Sequence, residues 1–419
     1  MEKLSMATTI LCAVALAALA AAATGGEAAV VEHTFVVHEM NQTHLCNTTK
    51  IYVVNGQLPG PTIDVTDGDT VVVHVQNRLP HGLTIHWHGV RQMRSCWSDG
   101  AGFVTECPVP PGGERVYRFS VTGQVGTLWW HAHVTCLRAT VAGAFVIRPR
   151  DGRYPFPTPA KDVPIIIGEW WQLDLVELDR RMHDGNFDDN PLSATINGKL
   201  GDLSNCSGRP ERRRSPDTIV VATMNNVSFR QPTNASLLER YYERRTSGLY
   251  TEDLPDRPPR PYNYTDRDLI PPGPLEEALE PTFKATKLRR FRYNTSVEII
   301  FQSTALLQSD SNPMHLHGYD FFVLAMGLGN YDPKTDPNKF NYHNPPLRNT
   351  VQVPRTGWAA VRFVTDNPGM WYLHCHFEFH IIMGMATAFI VEDGPTPDTS
   401  LPPPPPEFKT CGANGLTHP

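Results

Sequence analysis

The sequence predicts an all-β protein built from β-sandwich domains. Short runs rich in β-branched and aromatic residues recur in both halves of the chain, at 71–75, 116–121, 141–147, 296–301, 320–325 and 358–364. Turn residues separate these runs, and the chain contains 38 prolines and 31 glycines, a composition typical of strands joined by turns. A length of 419 residues allows two to three such domains.

The N-terminus predicts export through the secretory pathway. Residues 10–23 form an apolar run behind Lys3, and small residues follow it. This run is too short to span a bilayer, so residues 1–25 are interpreted as a signal peptide, and the mature protein is expected to be soluble and secreted. The net charge of −6 provides no electrostatic footprint for nucleic acid.

Potential glycosylation sites agree with export. Seven Asn-x-Ser/Thr triplets are glycan acceptors if the chain enters the secretory pathway. They begin at Asn41, Asn47, Asn205, Asn226, Asn234, Asn263 and Asn294. A secreted glycoprotein is therefore expected.

One short stretch near the C-terminus carries a set of copper donors. Cys375 lies between His374 and His376, and His380 and Met385 follow within ten residues. If the first part is a strand, the two flanking histidines face one way and the cysteine faces the other. Cys375, His380 and Met385 supply the thiolate, imidazole and axial thioether of a blue-copper electron-transfer centre. The flanking histidines remain available for a second metal site.

Three more histidine pairs have the same spacing as the pair around Cys375. They are His86 and His88, His131 and His133, and His315 and His317. On a strand, each pair places two rings on one face about 6.6 Å apart. A single pair of this kind is more often a structural feature, but four pairs in one chain indicate a metal cluster.

These segments resemble the copper motifs of the multicopper oxidases. The motifs are residues 85–89, 130–133 and 313–318 together with the His-Cys-His run, and the surrounding stretches 55–61 and 327–333 resemble plant laccases. Over residues 30–210 and 215–395, the resemblance implies cupredoxin-like Greek-key β-sandwiches, a type 1 copper that takes electrons from phenols, and a trinuclear cluster that reduces O2 to water. The motif positions imply His86 and His315 as type 2 copper ligands. They imply a type 3 copper pair held by His88, His131, His133, His317, His374 and His376.

One position departs from the family pattern. The third motif of the family begins with a histidine that is the remaining type 1 ligand, and Asn312 occupies this position here. An amide oxygen is a hard, weak donor, and the amide nitrogen is not a donor at all. Type 1 copper is therefore predicted to be weakly bound or absent.

The middle of the chain also departs from the family pattern. The predicted organisation is a first cupredoxin domain at 30–150, a remnant of a second at 160–210, a third at 215–395 and a proline-rich tail at 396–419. The remnant is too short to close a sandwich core, so it either packs on its neighbours or remains partly disordered. A genuine deletion and an incorrect gene model would give the same sequence.

Two acidic residues resemble the proton-relay acids of the family. Reduction of O2 to water consumes protons, so carboxylates near the cluster are expected to act as general acids. Asp99 and Glu378 occupy the corresponding positions. Asp99 also precedes Gly100, a pattern typical of an ordinary turn.

The cysteines indicate disulfides. Cys12 leaves with the signal peptide and Cys375 is assigned to copper, which leaves an even number of six cysteines in an oxidising compartment. The resemblance to plant laccases suggests the pairs Cys46–Cys206 and Cys107–Cys411. Laccases do not usually have cysteine at the positions of Cys96 and Cys136, and a bridge between these two is a further hypothesis.

The expected function follows from the resemblance. The expected protein is a secreted, monomeric, laccase-like copper oxidoreductase of the apoplast. It would remove one electron from each lignin-type phenol and transfer four electrons to each O2. Its role would be lignin degradation or polymerisation and detoxification of lignin-derived products. It would bind up to four copper ions, with no nucleic-acid or membrane partner. The alternative is a catalytically impaired copper-binding secreted glycoprotein, because of Asn312 and the truncated middle domain.

Overall fold

Two four-stranded sheets pack face to face in the first half of the chain. The computed structural model describes residues 27–184, 191–201, 222–259, 283–304 and 311–411. The first sandwich contains β1 (Val30–His44), β2 (Asn47–Val54), β3 (Ile63–Thr66), β4 (Thr70–Asn77), β5 (Ile85–His88), β6 (Glu114–Ser120), β7 (Gly126–Ala132) and β8 (Ala142–Arg148). One sheet has the strand order β2-β1-β4-β6 and the other β3-β8-β7-β5. The all-β prediction is confirmed, because β4, β6 and β8 coincide with the predicted apolar runs.

The core of this sandwich is filled by aromatic and β-branched side chains that alternate along the strands. Phe35 of β1, Trp87 of β5 and Trp130 of β7 are fully buried, and the rings of Phe35 and Trp130 lie 4.5 Å apart between centroids. Burial of such large apolar side chains is the main favourable contribution to the stability of the sandwich. Because β5 and β7 are anchored by these tryptophans, the histidines on the same strands have fixed positions.

The middle segment forms a small hairpin and a helix rather than a sandwich. Strands β9 (Ile167–Trp170) and β10 (Ser193–Ile196) pair antiparallel, and helix α1 spans Leu175–His183. The side chain of Asp174 caps α1 by accepting a hydrogen bond from the Val176 N–H. Trp170 packs against β2, and α1 buries its apolar face on the core of the first sandwich. This segment depends on the first sandwich for its hydrophobic contacts.

The second sandwich follows two short strands and a short helix. Strand β11 (Val227–Phe229) pairs with β12 (Phe283–Ala285), and helix α2 spans Leu237–Tyr242. The sandwich contains β13 (Leu288–Phe291), β14 (Ser296–Gln302), β15 (Asn312–Leu316), β16 (Phe321–Leu328), β17 (Leu347–Arg348), β18 (Thr350–Val353), β19 (Gly357–Val364), β20 (Gly369–Cys375) and β21 (Ala386–Val391), with helix α3 (Glu378–Ile382) before β21. Its sheets have the orders β13-β21-β20-β15-β18 and β14-β19-β16-β17.

The two sandwiches contact each other directly. Cys96, Trp97 and Val104 belong to a loop of the first sandwich, yet they are buried in the hydrophobic core of the second. Arg91 forms an ion pair with Asp366 at 3.0 Å across the same boundary. The strand ends that carry the histidines therefore meet at a packed interface.

The disulfides agree with the sequence analysis in part. Cys107 and Cys411 are bonded, with Cα atoms 5.5 Å apart, so the C-terminal tail is tied to the first sandwich. The hypothesis of a Cys96–Cys136 bridge is wrong, because both thiols are free. Cys96 donates to the Met370 carbonyl in the second sandwich, whereas Cys136 lies against α1.

Some predictions concern residues outside the described ranges. The signal peptide and Cys206, and hence the suggested Cys46–Cys206 pair, lie there, as do the sequon residues Asn205 and Asn263. Among the described residues, no helix combines the length and apolar character needed to cross a bilayer.

Candidate metal centre

Each sandwich contributes four histidines from two neighbouring strands and the residues directly after them. In the first sandwich, His86 of β5 lies directly opposite His131 of β7 in the antiparallel register. In the second, His315 of β15 lies opposite His374 of β20. The other member of each pair lies two residues further along the chain: His88, His133, His317 and His376. Because side chains alternate along a strand, both members of a pair point to the same interface.

The ring nitrogens of the eight histidines form three groups of three, and His88 belongs to two of these groups. The groups are His86, His88 and His315; His88, His131 and His376; and His133, His317 and His374, with all ligand atoms of a group within 4.8 Å of one another. Nε2 of His317 lies 3.1 Å from Nε2 of His374, and Nε2 of His86 lies 3.4 Å from Nε2 of His315. Two nitrogens bound at about 2.0–2.1 Å to one tetrahedral ion are about 3.3 Å apart. The rings are therefore spaced as ligands of shared metal ions.

Hydrogen bonds on the outer nitrogens fix the orientation of these rings. Three Nδ1–H groups donate to backbone carbonyls at 2.8–2.9 Å: His131 to Ala132, His315 to Asn349 and His374 to Cys375. His88 is turned the other way, because its Nε2 donates to the Thr350 hydroxyl at 3.0 Å and its Nδ1 faces His131 at 3.4 Å. A proton held on the outer nitrogen leaves the inner nitrogen with the lone pair that a metal needs.

Asp99 connects histidines from both sandwiches. Its carboxylate accepts a hydrogen bond from His317 Nδ1 at 2.9 Å, and its backbone carbonyl accepts one from His86 Nδ1 at 2.7 Å. The Asp99 side chain is fully buried. Gly100 has φ +78°, and a Cβ at that position would lie 1.8 Å from the Ile85 carbonyl oxygen, so only glycine allows this turn to lie against β5.

His376 differs from the other rings. Its Nδ1 lies 2.8 Å from a guanidinium nitrogen of Arg138, and its Nε2 is buried without a hydrogen-bond partner among the described residues. A guanidinium can only donate, so in the neutral ring the proton resides on Nε2. Metal binding at this ring therefore requires the loss of that proton or a change in the Arg138 contact.

Arg138 also holds the second acidic candidate. Its Nε lies 2.6 Å from the Glu378 carboxylate, and both side chains are mostly buried. Burial raises the pKa of Glu378, the nearby Asp179 raises it further, and Arg138 opposes the increase. Glu378 lies at the start of α3, two residues after His376, so the same arginine fixes a cluster histidine and the carboxylate beside it.

Burial keeps seven of the cluster imidazoles neutral. It lowers the pKa values of seven of the rings, and neighbouring histidines or Arg138 lower most of them further: His88, His131, His133, His315, His317, His374 and His376. The pKa of His315 falls to about 3. Because a metal binds the neutral ring, the rings other than His376 are ready for coordination at neutral pH. Imidazole nitrogens suit copper, and this donor set fits a copper cluster.

The predicted type 1 residues lie on the other side of β20. Sγ of Cys375 lies 3.3 Å from Nδ1 of His380, and the backbone N–H of Cys375 donates to the Met385 carbonyl at 3.0 Å. Asn312 reaches the same sulfur with its Oδ1 at 3.9 Å. Burial raises the pKa of the Cys375 thiol to about 12. The donor set contains one imidazole where a blue-copper site needs two, so it does not fit that centre.

Three supporting residues were missed by the sequence analysis. Arg138, Asn349 and Thr350 contact cluster histidines, but none of them is a metal-donor type in a metal-like spacing. Asn349 acts through its backbone carbonyl, which carries no sequence signal. Arg138 follows His133 by five residues in the same segment, and that proximity was the one available signal.

Known proteins are similar to this chain over its whole length. Two sequence profiles of the multicopper oxidases match residues 36–152 and 253–395. The chain is 59% identical to Laccase-19 of Oryza sativa subsp. japonica and 57% identical to Laccase-18 of the same subspecies, and in both comparisons all of each chain is covered. The comparison with Laccase-19 extends over 590 positions against 419 residues here, so some positions have no residue of this chain opposite them.

Solved structures share the fold at low sequence identity. The laccase from Botrytis aclada aligns with a TM-score of 0.65 and 18% identity, covering 90% of each chain. Fet3p, described as a multicopper oxidase that functions in iron import, aligns with a TM-score of 0.64 and 16% identity, covering 86% of this chain and 90% of its own. These similarities support the cupredoxin fold.

Proposed function

Because this chain belongs to the multicopper oxidase family, as a laccase that uses copper, we propose that it oxidises phenols by one electron each and reduces O2 to water. The observation that carries this proposal is the meeting of three histidine triads at one buried interface. Lignin-type p-diphenols and monolignols are the proposed substrates. Copper, when bound, supplies the one-electron steps that join the oxidation of phenol to the reduction of dioxygen.

The proposed ligand assignment follows the triads. His86 and His315 face each other at 3.4 Å and are assigned to the type 2 position. The type 3 pair is assigned to two triads, with His88, His131 and His376 in one and His133, His317 and His374 in the other. Each triad draws ligands from both sandwiches, so the two sandwiches must stay in contact for the site to hold metal.

The proposed proton donors are the two buried carboxylates. The Asp99 carboxyl group accepts a hydrogen bond from His317 and lies 3.4 Å from His86 Nδ1, so it is next to two rings of the site. Glu378 lies beside His376 and is held by Arg138. Reduction of one O2 to water requires four protons, and general acids near the reacting oxygen supply such protons efficiently.

Secretion and glycosylation are part of the proposal. All five described sequon asparagines are exposed: Asn41, Asn47, Asn226, Asn234 and Asn294. Exposure is what a glycan attached at an Asn-x-Ser/Thr triplet requires. A secreted glycoprotein of the apoplast would meet lignin precursors and lignin-derived phenols there, and would polymerise or degrade them.

A second candidate function is suggested by Asn312. With an amide oxygen 3.9 Å from Cys375 in place of an imidazole, electron entry is impaired, although the histidine cluster keeps all of its donors. A secreted copper-binding glycoprotein with little turnover would then remain. The short middle segment supports the same alternative, because the full second domain of the family would supply a spacer and one wall of the phenol site.

Oxygen uptake distinguishes the two candidates. Copper-loaded protein is expected to consume O2 only when a phenol such as a p-diphenol is present, in a ratio of about four phenols per O2, as the one-electron and four-electron steps require. A His315→Ala variant should lose this uptake, whereas His74→Ala, a surface histidine outside the cluster, should retain it. Copper binding without phenol-dependent uptake would reject the oxidase and favour the second candidate.

A further inference from the structure

A cavity of about 310 Å3 lies beside the histidine cluster. Its walls include His131 and His133 of the cluster, the carboxylate of Glu378, and two residues of α1, Asp179 and His183. His131 is buried, whereas the His183 side chain is 45% exposed, so the cavity lies between the metal site and solvent. A polar space of this size can hold several water molecules, since one water occupies about 30 Å3.

Asp179 and His183 form a pair on one face of α1. They are four residues apart, and His183 Nδ1 lies 3.4 Å from Asp179 Oδ2 and 3.0 Å from the Asp179 carbonyl oxygen. The Asp179 side chain is only 4% exposed, and among the described residues His183 is the cation that forms an ion pair with it. A buried carboxylate held by a half-exposed histidine is an unusual arrangement for a purely structural helix.

The position of this pair is fixed by the packing of α1. Leu175, Leu178 and Met182 of the helix are buried on the core of the first sandwich. Met182 also contacts Cys136, whose sulfur lies 4.0 Å from Asp179 Oδ1. The carboxylate of Asp179 is therefore held against the cavity wall.

Several charged groups face the pair. The hydrogen bond that His183 donates to Asp179 is the largest contribution to the raised pKa of His183, and Asp184, directly after α1, raises this pKa further. Glu378 of α3 interacts electrostatically with both Asp179 and His183. Cys136 interacts with Asp179, and Arg138 interacts with Glu378 and Cys136. The raised pKa means that His183 is protonated over more of the neutral pH range than an ordinary histidine.

We propose that His183 and Asp179 carry protons from solvent into this cavity for the reduction of dioxygen. The inference rests on the proposed function, because only O2 reduction at the adjacent cluster would consume these protons. A proton taken from solvent at Nε2 of His183 is balanced by one released from Nδ1 to Asp179, and the carboxyl group then releases a proton to water in the cavity. Only N–H and O–H bonds form and break, and exchange with solvent restores the original tautomer of the half-exposed ring.

The test uses copper-loaded protein that has been reduced with dithionite and is then mixed with O2. Reoxidation in the Asp179→Asn and His183→Gln variants is expected to be about tenfold slower than in the wild-type protein at pH 7, because a general acid contributes at least that much. Added imidazole should restore part of the rate in His183→Gln. Copper content should be unchanged in both variants. The control is His74→Gln, because His74 is 46% exposed and lies 3.9 Å from Glu32, away from the cavity.

A second measurement does not depend on turnover. In the reduced, diamagnetic holoprotein, nuclear magnetic resonance should show that His183 titrates above pH 6.5 and that Asp179→Asn moves its pKa back toward 6.5. Reoxidation rates in both variants equal to that of the wild-type protein from pH 5 to pH 8 would overturn the inference. So would an unchanged His183 titration in Asp179→Asn.

The reoxidation assay separates this inference from the proposed function. Dithionite replaces phenol as the reductant in this assay. A protein that reoxidises normally but does not oxidise phenols would contradict the proposed substrate. The effect of the two variants on reoxidation could still be measured. A wild-type protein that fails to reoxidise contradicts both proposals, because no reaction would then consume the protons.

Discussion

Asn312 places its amide oxygen 3.9 Å from the sulfur of Cys375, where a blue-copper centre would have an imidazole nitrogen. Strand β15 brings Asn312 to this position, since Met314 of the same strand lies directly opposite Cys375. The strand register therefore brings position 312 to the sulfur of Cys375, and the side chain there is an amide instead of an imidazole.

Replacing Asn312 with histidine is expected to restore a type 1 copper site. Loss of an outer hydrogen-bond partner alone lowers metal affinity about 10–100-fold, so the gain of a direct ligand should raise the affinity of this site at least tenfold. The Asn312→His variant should bind one additional copper ion and develop the intense visible absorption of a copper–thiolate bond. Copper analysis and absorption spectroscopy measure both effects.

A control variant distinguishes the effect of adding an imidazole ligand from the effect of removing the amide. Asn312→Leu removes the amide without adding a donor and should remain colourless. Adding Cys375→Ser to the Asn312→His variant should abolish the new absorption. If the wild-type protein already shows the full copper–thiolate band, Asn312 does not impair the site.

Asp99 is expected to matter for metal affinity more than for folding. An Asp99→Asn substitution weakens the acceptor for His317 Nδ1 and introduces an amide N–H that can oppose the required tautomer. Copper affinity should fall about 10–100-fold, measured by competition with a chelator. Asp67 also precedes a glycine in a turn, so Asp67→Asn is a matched control that should not change copper affinity. Equal copper affinity in the two variants would show that Asp99 only forms the turn before Gly100.

The sequence was sufficient to predict that the eight histidines lie together, and the reason is geometric. A His-x-His pair places both rings on one face of a strand, and paired strands then bring His86 next to His131 and His315 next to His374. The pattern does not reveal strand ends or neighbouring strands, so the partners Arg138 and Thr350 were not found.

The incorrect Cys96–Cys136 hypothesis has a similar cause. A disulfide requires Cα atoms within about 7 Å of each other, and spacing along the chain does not report that distance. Cys96 lies in the loop that enters the core of the second sandwich, where it is close to Met370. Cys136 is buried beneath α1. The sequence indicated an oxidising compartment and an even number of cysteines, but only tertiary packing determines which thiols lie close enough to bond.

Removal of copper is expected to make the protein sensitive to acid. The folded state lowers the pKa of seven cluster imidazoles below the ordinary value of 6.5, whereas the unfolded state does not. Below about pH 6.5 the unfolded chain therefore binds more protons, and the free energy of unfolding decreases as the pH falls. For His315, whose pKa is about 3, the loss between about pH 6.5 and pH 5 is about 2 kcal/mol.

Thermal unfolding of chelator-treated protein from pH 8 to pH 5 measures this effect. The melting temperature should fall steeply below pH 6.5 without copper and much less with copper, because bound metal keeps the rings unprotonated. Equal pH dependence of the two forms would contradict the prediction.

The Cys107–Cys411 bond is expected to contribute to stability by holding the C-terminal tail on the first sandwich. The two cysteines are 304 residues apart, so the bond closes a very long loop in the unfolded chain. Near the bond, the ring of Phe408 packs 4.7 Å from Trp97. The double variant Cys107→Ser/Cys411→Ser should lose about 2–5 kcal/mol of unfolding free energy in guanidinium chloride. A reductant should lower the stability of the wild-type protein toward that of the variant, and have a smaller effect on the variant itself. Equal unfolding midpoints for the two proteins without reductant would show that packing around Phe408 holds the tail by itself.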